Sequence, residues 1–247
     1  LRMHLILAAD LGVVLARSGQ RAEAKHVLER ARELASARLP GDQGQAILML
    51  HSGRFELGHD NQAALVSLEQ AQRLFAASPE TESTEMSASR HYLGTVYLEL
   101  GRLDEAETQL RSAHAMFTQQ YGRTDYDTLA ALGSLALASA RRERYAAAVD
   151  LLAEGRSALQ GKTERKHLAM AAALTGRQLQ TAMLAGDLEA AEAALSLLSD
   201  PDVSDPTVPN RHVLPLARID LSMHRGALGQ ARALLDSYRG TMTVDAP

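Results

Sequence analysis

The chain has 247 residues, 46% of them apolar and 23% charged, with a net charge of −4; it can bury a core and is not disordered by composition. It contains no Cys and no Trp, and aromatic residues make up 4%, which excludes disulfides, thiolate metal sites and a cysteine nucleophile. The acidic balance and few aromatics argue against a nucleic-acid face, and the lack of any run of about 18 apolar residues argues against a membrane span; a cytoplasmic protein is expected.

The opening stretch, "LRMHLILAADLGVVLARSGQ", has no initiator Met, no capping residue and no signal-peptide cleavage site, and reads as a helix inside a longer chain. Gly19 breaks it, and "RAEAKHVLERA" resumes a helical pattern at Ala24 and Leu28. After Pro40-Gly41-Asp42 a second pair of helices turns at Gly58-His59-Asp60. Ser78-Pro79 and "ETESTE" (Glu80–Glu85) follow, where Ser83 or Thr84 suits a helix cap with acids in the first turn.

In "YLGTVYLELGRLDEAETQL" (Tyr92–Leu110), Leu93, Val96, Tyr97 and Leu100 share one helix face. Gly101 suits the left-handed residue at the helix end, and Asp104 and Glu105 favour the start of the next helix. Gly94 and Ala106 are small, which predicts that the two helices touch there. Further breaks follow at Tyr121-Gly122, Gly161, Gly186-Asp187 and Gly226, with Ser199–Asn210 the longest non-helical stretch.

The frame repeats. Ala24, Ala64, Ala106, Ala148, Ala191 and Ala231 are each followed four residues later by Leu28, Leu68, Leu110, Leu152, Leu195 and Leu235, at intervals of 40, 42, 42, 43 and 40 residues. This predicts an all-α solenoid of about six stacked helix-turn-helix hairpins in a single domain, with units near 1–40, 41–80, 81–122, 123–162, 163–205 and 206–247. Five of the seven prolines fall in the connections between hairpins, where they damage no helix.

Leu93-Gly94-Thr95-Val96-Tyr97 and Ala106 to Leu110 resemble the signature of the tetratricopeptide repeat, with Leu in place of Phe and Arg90 in place of Trp. The period exceeds the usual 34. Together with Tyr121-Gly122, Asp127-Thr128-Leu129, Leu135-Ala136 and Tyr145–Ala148, it is similar to the kinesin-light-chain type of repeat. The resemblance implies a right-handed superhelix whose concave groove, lined by the first helix of each unit, binds a protein or peptide. It also implies a bacterial setting, as the docking or sensory region of a larger regulator; the high ratio of Arg to Lys, 23 to 3, points the same way. The alternative is the region of a transcription regulator that senses a small ligand or signal peptide.

Catalytic patterns are few. "GKT" (Gly161–Thr163) lacks the earlier glycine and the preceding strand of a phosphate-binding loop. The nine histidines show no metal-ligand spacing, and no Gly-x-Ser-x-Gly elbow is present. A non-enzyme without metal or cofactor is expected.

Carrying the groove positions of the family onto this sequence gives Val13 and Arg17, Met49 and Glu56, then His91, Thr95 and Glu99. Leu137 and Arg141, Arg177 and Gln180, and Asp220 and His224 follow in the later units. Members that clamp a peptide carboxylate use Asn and Lys, but Val13, Gly53, Thr95, Leu137, Gln180 and Asp220 stand at the Asn places, so a different ligand is implied. Arg141 and Arg177 predict a basic patch for an acidic side chain, a phosphate or the terminal carboxylate of a peptide. Homo-oligomerisation is compatible with this reading.

Overall fold

The computed structural model describes residues 2–38, 41, 43–77, 84–198, 218–219, 221–223 and 225–244, without the side chains of residues 2, 17 and 237–244. The expected breaks at Pro40, Asp42, Ser78-Pro79 and Ser199–Asn210, and the candidate cap Ser83, lie outside the described residues. The helices are α1 (Arg2–Arg17), α2 (Arg21–Arg38), α3 (Gln43–Glu56), α4 (Asn61–Ala76), α5 (Thr84–Glu99), α6 (Leu103–Tyr121), α7 (Tyr126–Arg141), α8 (Tyr145–Ala158), α9 (Arg165–Leu184), α10 (Leu188–Leu198) and α11 (Leu228–Val244). Residues 218–219 and 221–223 are also helical, and no strand occurs among the described residues. The chain divides into two compact units, Leu1–Gly122 and Arg123–Pro247.

In the first unit, α1 pairs with α2, α3 with α4 and α5 with α6. One contact closes all three hairpins. A Cβ built on Gly12 would stand 2.7 Å from Leu28 Cγ, on Gly53 2.4 Å from Leu68 Cγ, and on Gly94 2.6 Å from Leu110 Cγ. Each first helix thus brings bare backbone against a leucine of its second helix, and Ala24, Ala64 and Ala106, all fully buried, keep the same crossing close. The turn at Gly101 has φ 74°; Arg102 N–H donates to Tyr97 O at 2.8 Å and Gly101 N–H to Leu98 O at 3.1 Å, satisfying the carbonyls that end α5. Asp60 caps α4 by accepting from Ala63 N–H at 2.9 Å.

Neighbouring hairpins stack second helix on first. Between α2 and α3, Arg21 lies over the Phe55 ring at 4.2 Å. Between α4 and α5, the Tyr97 hydroxyl donates to Glu69 at 3.2 Å. Phe75, Phe117, Leu48, Leu68, Leu93 and Leu110 form the core between these layers.

The second unit repeats the plan with α7 and α8, then α9 and α10. Leu129, Leu132, Leu152 and Leu174 fill one cluster. Ala172, Leu179, Ala182, Ala191, Ala194 and Leu198 fill the next, where Leu221 joins them. Asp125 caps α7 through Asp127 N–H at 2.9 Å. The turn between α7 and α8 departs from the glycine pattern: Glu143 takes the left-handed conformation at φ 60°, alone among the described non-glycine residues. Within each unit, the described helices from α1 to α10 pack against helices one or two places along the sequence.

Candidate partner-binding site

The first helices α7 and α9 pack side by side in the second unit. Along one face α7 carries Tyr126, Gly133, Leu137 and Arg141, at helical spacings of seven, four and four. The side chain of Arg177 crosses from α9 onto this face. A Cβ at position 133 would sit 2.5 Å from Arg177 Nη1 and 3.4 Å from its Cζ, so glycine there leaves room for the guanidinium to lie flat. Tyr126 and Leu137 on α7 and Leu184 on α9 stand 66%, 40% and 64% exposed.

Arg177 as a residue is exposed, yet Nη1 itself makes the contact with Gly133, and the charged end is what matters for recognition. Loss of water there lowers the pKa of the guanidinium from its ordinary value, with Tyr126 opposing the shift; an arginine stays charged at neutral pH. Among the described residues no carboxylate pairs with it. Arg141 lies eight residues beyond Gly133, about 12 Å along the helix, and is exposed. The two arginines therefore meet α7 two turns apart, and Gln180 is exposed one turn beyond Arg177.

In the first unit the expected residues scatter more. His91 is half-buried, stacked on Tyr92 at 5.6 Å and edge-on to Phe117 at 6.4 Å. The Thr95 hydroxyl donates to His91 O at 2.9 Å, within its own helix, and Glu99 is exposed at the end of α5. Glu56 faces α2, where Arg21 reaches it at 3.3 Å. Met49 is 2% exposed and belongs to the core. Arg17 ends α1, but its side chain, like Asp220 and His224, lies outside the described residues.

Aligning Gly12, Gly53 and Gly94 shows what the sequence reading missed. The residue after each glycine is Val13, Arg54 or Thr95, and two places before each stand Asp10, His51 and Tyr92; in this register Arg54, not Gly53, is the counterpart of Val13 and Thr95. Arg54 lies over the Tyr92 ring at 5.4 Å. Beside it, burial lowers the pKa of His51 from its ordinary 6.5; Asp10 and Glu85 oppose this and Arg54 adds to it. The Nδ1 of His51 is buried without a hydrogen-bond partner among the described residues. His51, Arg54 and Tyr92 carry no motif of their own, and the glycine register brings them together.

Among the described residues no three His, Asp or Glu side chains converge in a metal-holding arrangement, and no helix is long and apolar enough to cross a membrane. Gly161 closes a turn after α8, so a helix rather than a strand leads into "GKT".

Stacked hairpins joined second helix to first define a helical-repeat protein of the tetratricopeptide type. Residues 84–160 match the tetratricopeptide repeat family. No curated protein matches the sequence. Among solved structures, it is similar to the putative kinesin light chain nearly identical TPR-like repeats of Podosopora anserina, in a form with one substitution, with 21% identity and a TM-score of 0.70 over 80% of this protein and 93% of that one. It is also similar to BtubC (BKLC) from P. vanneervenii, with 15% identity and a TM-score of 0.69 over 92% of both proteins. PilW, a widely conserved type IV pilus biogenesis factor, aligns at 16% identity with a TM-score of 0.70 over 96% of this protein and 93% of that one. At these identities the likeness is one of fold, a stack of helical repeats like those of the kinesin light chain structure.

Proposed function

We propose that the protein is a non-catalytic scaffold that binds a protein or peptide along its first helices, as the docking or sensory region of a larger bacterial regulator. A repeat fold of this kind presents side chains from successive hairpins in a row, which suits an extended partner. The observation that carries the reading is Arg177, a guanidinium pressed onto Gly133 among exposed Tyr126, Leu137 and Leu184. A cation held in place beside apolar surface, with no carboxylate partner among the described residues, suits a partner that offers an acidic group next to an apolar one. Arg54, half-buried over Tyr92, supplies a second fixed cation in the first unit.

Capture of the partner on the immobilised protein, followed by calorimetric titration, tests this. A charge-assisted bond contributes about 1.5–3 kcal/mol, so Arg177→Ala is expected to weaken binding roughly ten-fold or more, and added salt to weaken the parent. Arg111, on α6 and paired with Glu107 at 2.7 Å, is the control, and Arg111→Ala is expected to bind as the parent does. Equal affinities for Arg177→Ala and the parent would remove Arg177 from the site.

A further inference from the structure

Arg90 puts a charge in an apolar row. It stands four places before Gly94, as Met49 stands four places before Gly53 in α3. Leu132 follows it at the 42-residue interval that separates Ala106 from Ala148. Met49 and Leu132 are each 2% exposed and belong to the core. Arg90 lies about 160° around α5 from Tyr92 and about 140° from Thr95, so it does not share the groove face with them. Its side chain goes instead to the place where α4, α5 and α6 meet.

Neutral amides hold the guanidinium there. Gln72 on α4 donates through Nε2 to Gln109 Oε1 on α6 at 2.7 Å, and Arg90 Nη1 reaches the same oxygen at 3.4 Å. The Gln109 NH2 and Arg90 Nη2 are left as donors with no hydrogen bond among the described residues, and Arg90 Nε is buried without a partner among them. All three side chains are half-buried. Acids on the same helices are engaged elsewhere. Glu69, one turn before Gln72, accepts from the Tyr97 hydroxyl at 3.2 Å, and Glu107, two places before Gln109, is bound to Arg111 at 2.7 Å. An arginine in a core row gives up both apolar burial and water, and neutral amides return only part of that loss. Packing alone does not account for it.

We propose that Arg90, Gln109 and Gln72 form an oxyanion site in the first unit, between α4 and α6 and away from the groove face. The guanidinium and the Gln109 NH2 offer neighbouring donors to the two oxygens of a carboxylate or a phosphate group. Gln72 holds the Gln109 oxygen and so keeps the NH2 of that amide turned outward. Chloride, with no second oxygen, cannot accept two such directed bonds. The site owes nothing to Arg177, which belongs to the second unit.

Magnetic resonance of the full protein, isotope-labelled at its arginine and glutamine side chains, tests this. Inorganic phosphate or acetate is exchanged for chloride at constant ionic strength. Expected are saturable shifts of the Arg90 Nε–H and Gln109 NH2 signals, with none at Arg111. Saturation by phosphate alone assigns a phosphate group as the occupant, and saturation by acetate assigns an acidic side chain. Arg90→Lys keeps the charge but not the fork and should weaken anion binding several-fold. Arg90→Met restores the apolar residue of the row: the Gln109 shift should vanish, while the urea midpoint stays at or above that of the parent. The proposal is overturned if neither anion gives a saturable shift, or if the Gln109 shift persists in Arg90→Met. A lower urea midpoint for Arg90→Met would show that the arginine serves packing and would overturn it as well.

Discussion

Gly94→Ala adds one methyl group where two effects of opposite sign meet. In an open helix interior, replacing Gly by Ala stabilises by about 1 kcal/mol, because glycine loses more backbone freedom on folding. At position 94 the new Cβ would stand 2.6 Å from Leu110 Cγ, 2.9 Å from its Cδ2 and 3.2 Å from the Ala106 carbonyl oxygen. The nearest atom is the branch point of a fully buried leucine, not the free end of a flexible side chain, and the carbonyl behind it is backbone. The hairpin must therefore open, and overpacking of this kind costs about 1–3 kcal/mol. With the nearest contacts well inside van der Waals range the cost should sit high in that range, leaving a net loss of roughly 1–2 kcal/mol in urea unfolding followed by circular dichroism. Leu110→Ala alone should cost about 2–5 kcal/mol. Combining the two lets the new methyl enter the space the leucine leaves, so the double-mutant cycle should show a favourable coupling of about 1–3 kcal/mol. If Gly94→Ala raises stability, or the two changes simply add, the close crossing of α5 and α6 is not what glycine serves there.

Glu143 holds a left-handed conformation at φ 60°, which disfavours side chains by about 1–2 kcal/mol; part of this returns as glycine flexibility, so Glu143→Gly should stabilise by about 0.5–1 kcal/mol in urea unfolding. Gly133→Ala would be crowded by the far end of the Arg177 side chain, with Leu174 Cδ2 at an ordinary 3.6 Å, so its stability should stay within about 1 kcal/mol of the parent, while binding that depends on Arg177 should fall several-fold in calorimetry. A large loss of stability there would make Arg177 a packing residue instead. Because His51 has a folded pKa below 6.5, the unfolded state takes up its proton first as pH falls. Stability should decline from pH 6.5 down through the lower folded pKa and then level off, and thermal melts of His51→Gln should lack that share of the slope.

The hairpin frame is legible because it rests on glycine and alanine where helices cross, and small residues in register betray a contact without any knowledge of direction. Glu143 escapes notice because its turn keeps the backbone geometry of the others, with Arg144 N–H donating to Ser139 O at 3.0 Å, while lacking their glycine. The groove stripe is harder to read. In α3, residues 44–46, 48–50, 52, 53 and 55 are all buried, so periodicity there fixes no face; it lets Met49 pass for an outward residue and hides His51 and Arg54. Arg177 shows the remaining limit: that it belongs to a first helix is written in the sequence, but that it lies across to Gly133 depends on how two helices forty residues apart are set side by side.

Because within each unit the helices α1 to α10 pack against helices one or two places along the sequence, no distant contact inside a unit clamps its described hairpins against a pull. Tension on such a unit would draw it out from whichever hairpin is weakest, one at a time, each releasing a contour of roughly 130–145 Å for about forty residues. The neighbours left behind stay closed on their own glycine–leucine crossings. A unit built this way lengthens in steps under load and shortens again when the load is removed, whereas a fold held by distant contacts gives way all at once.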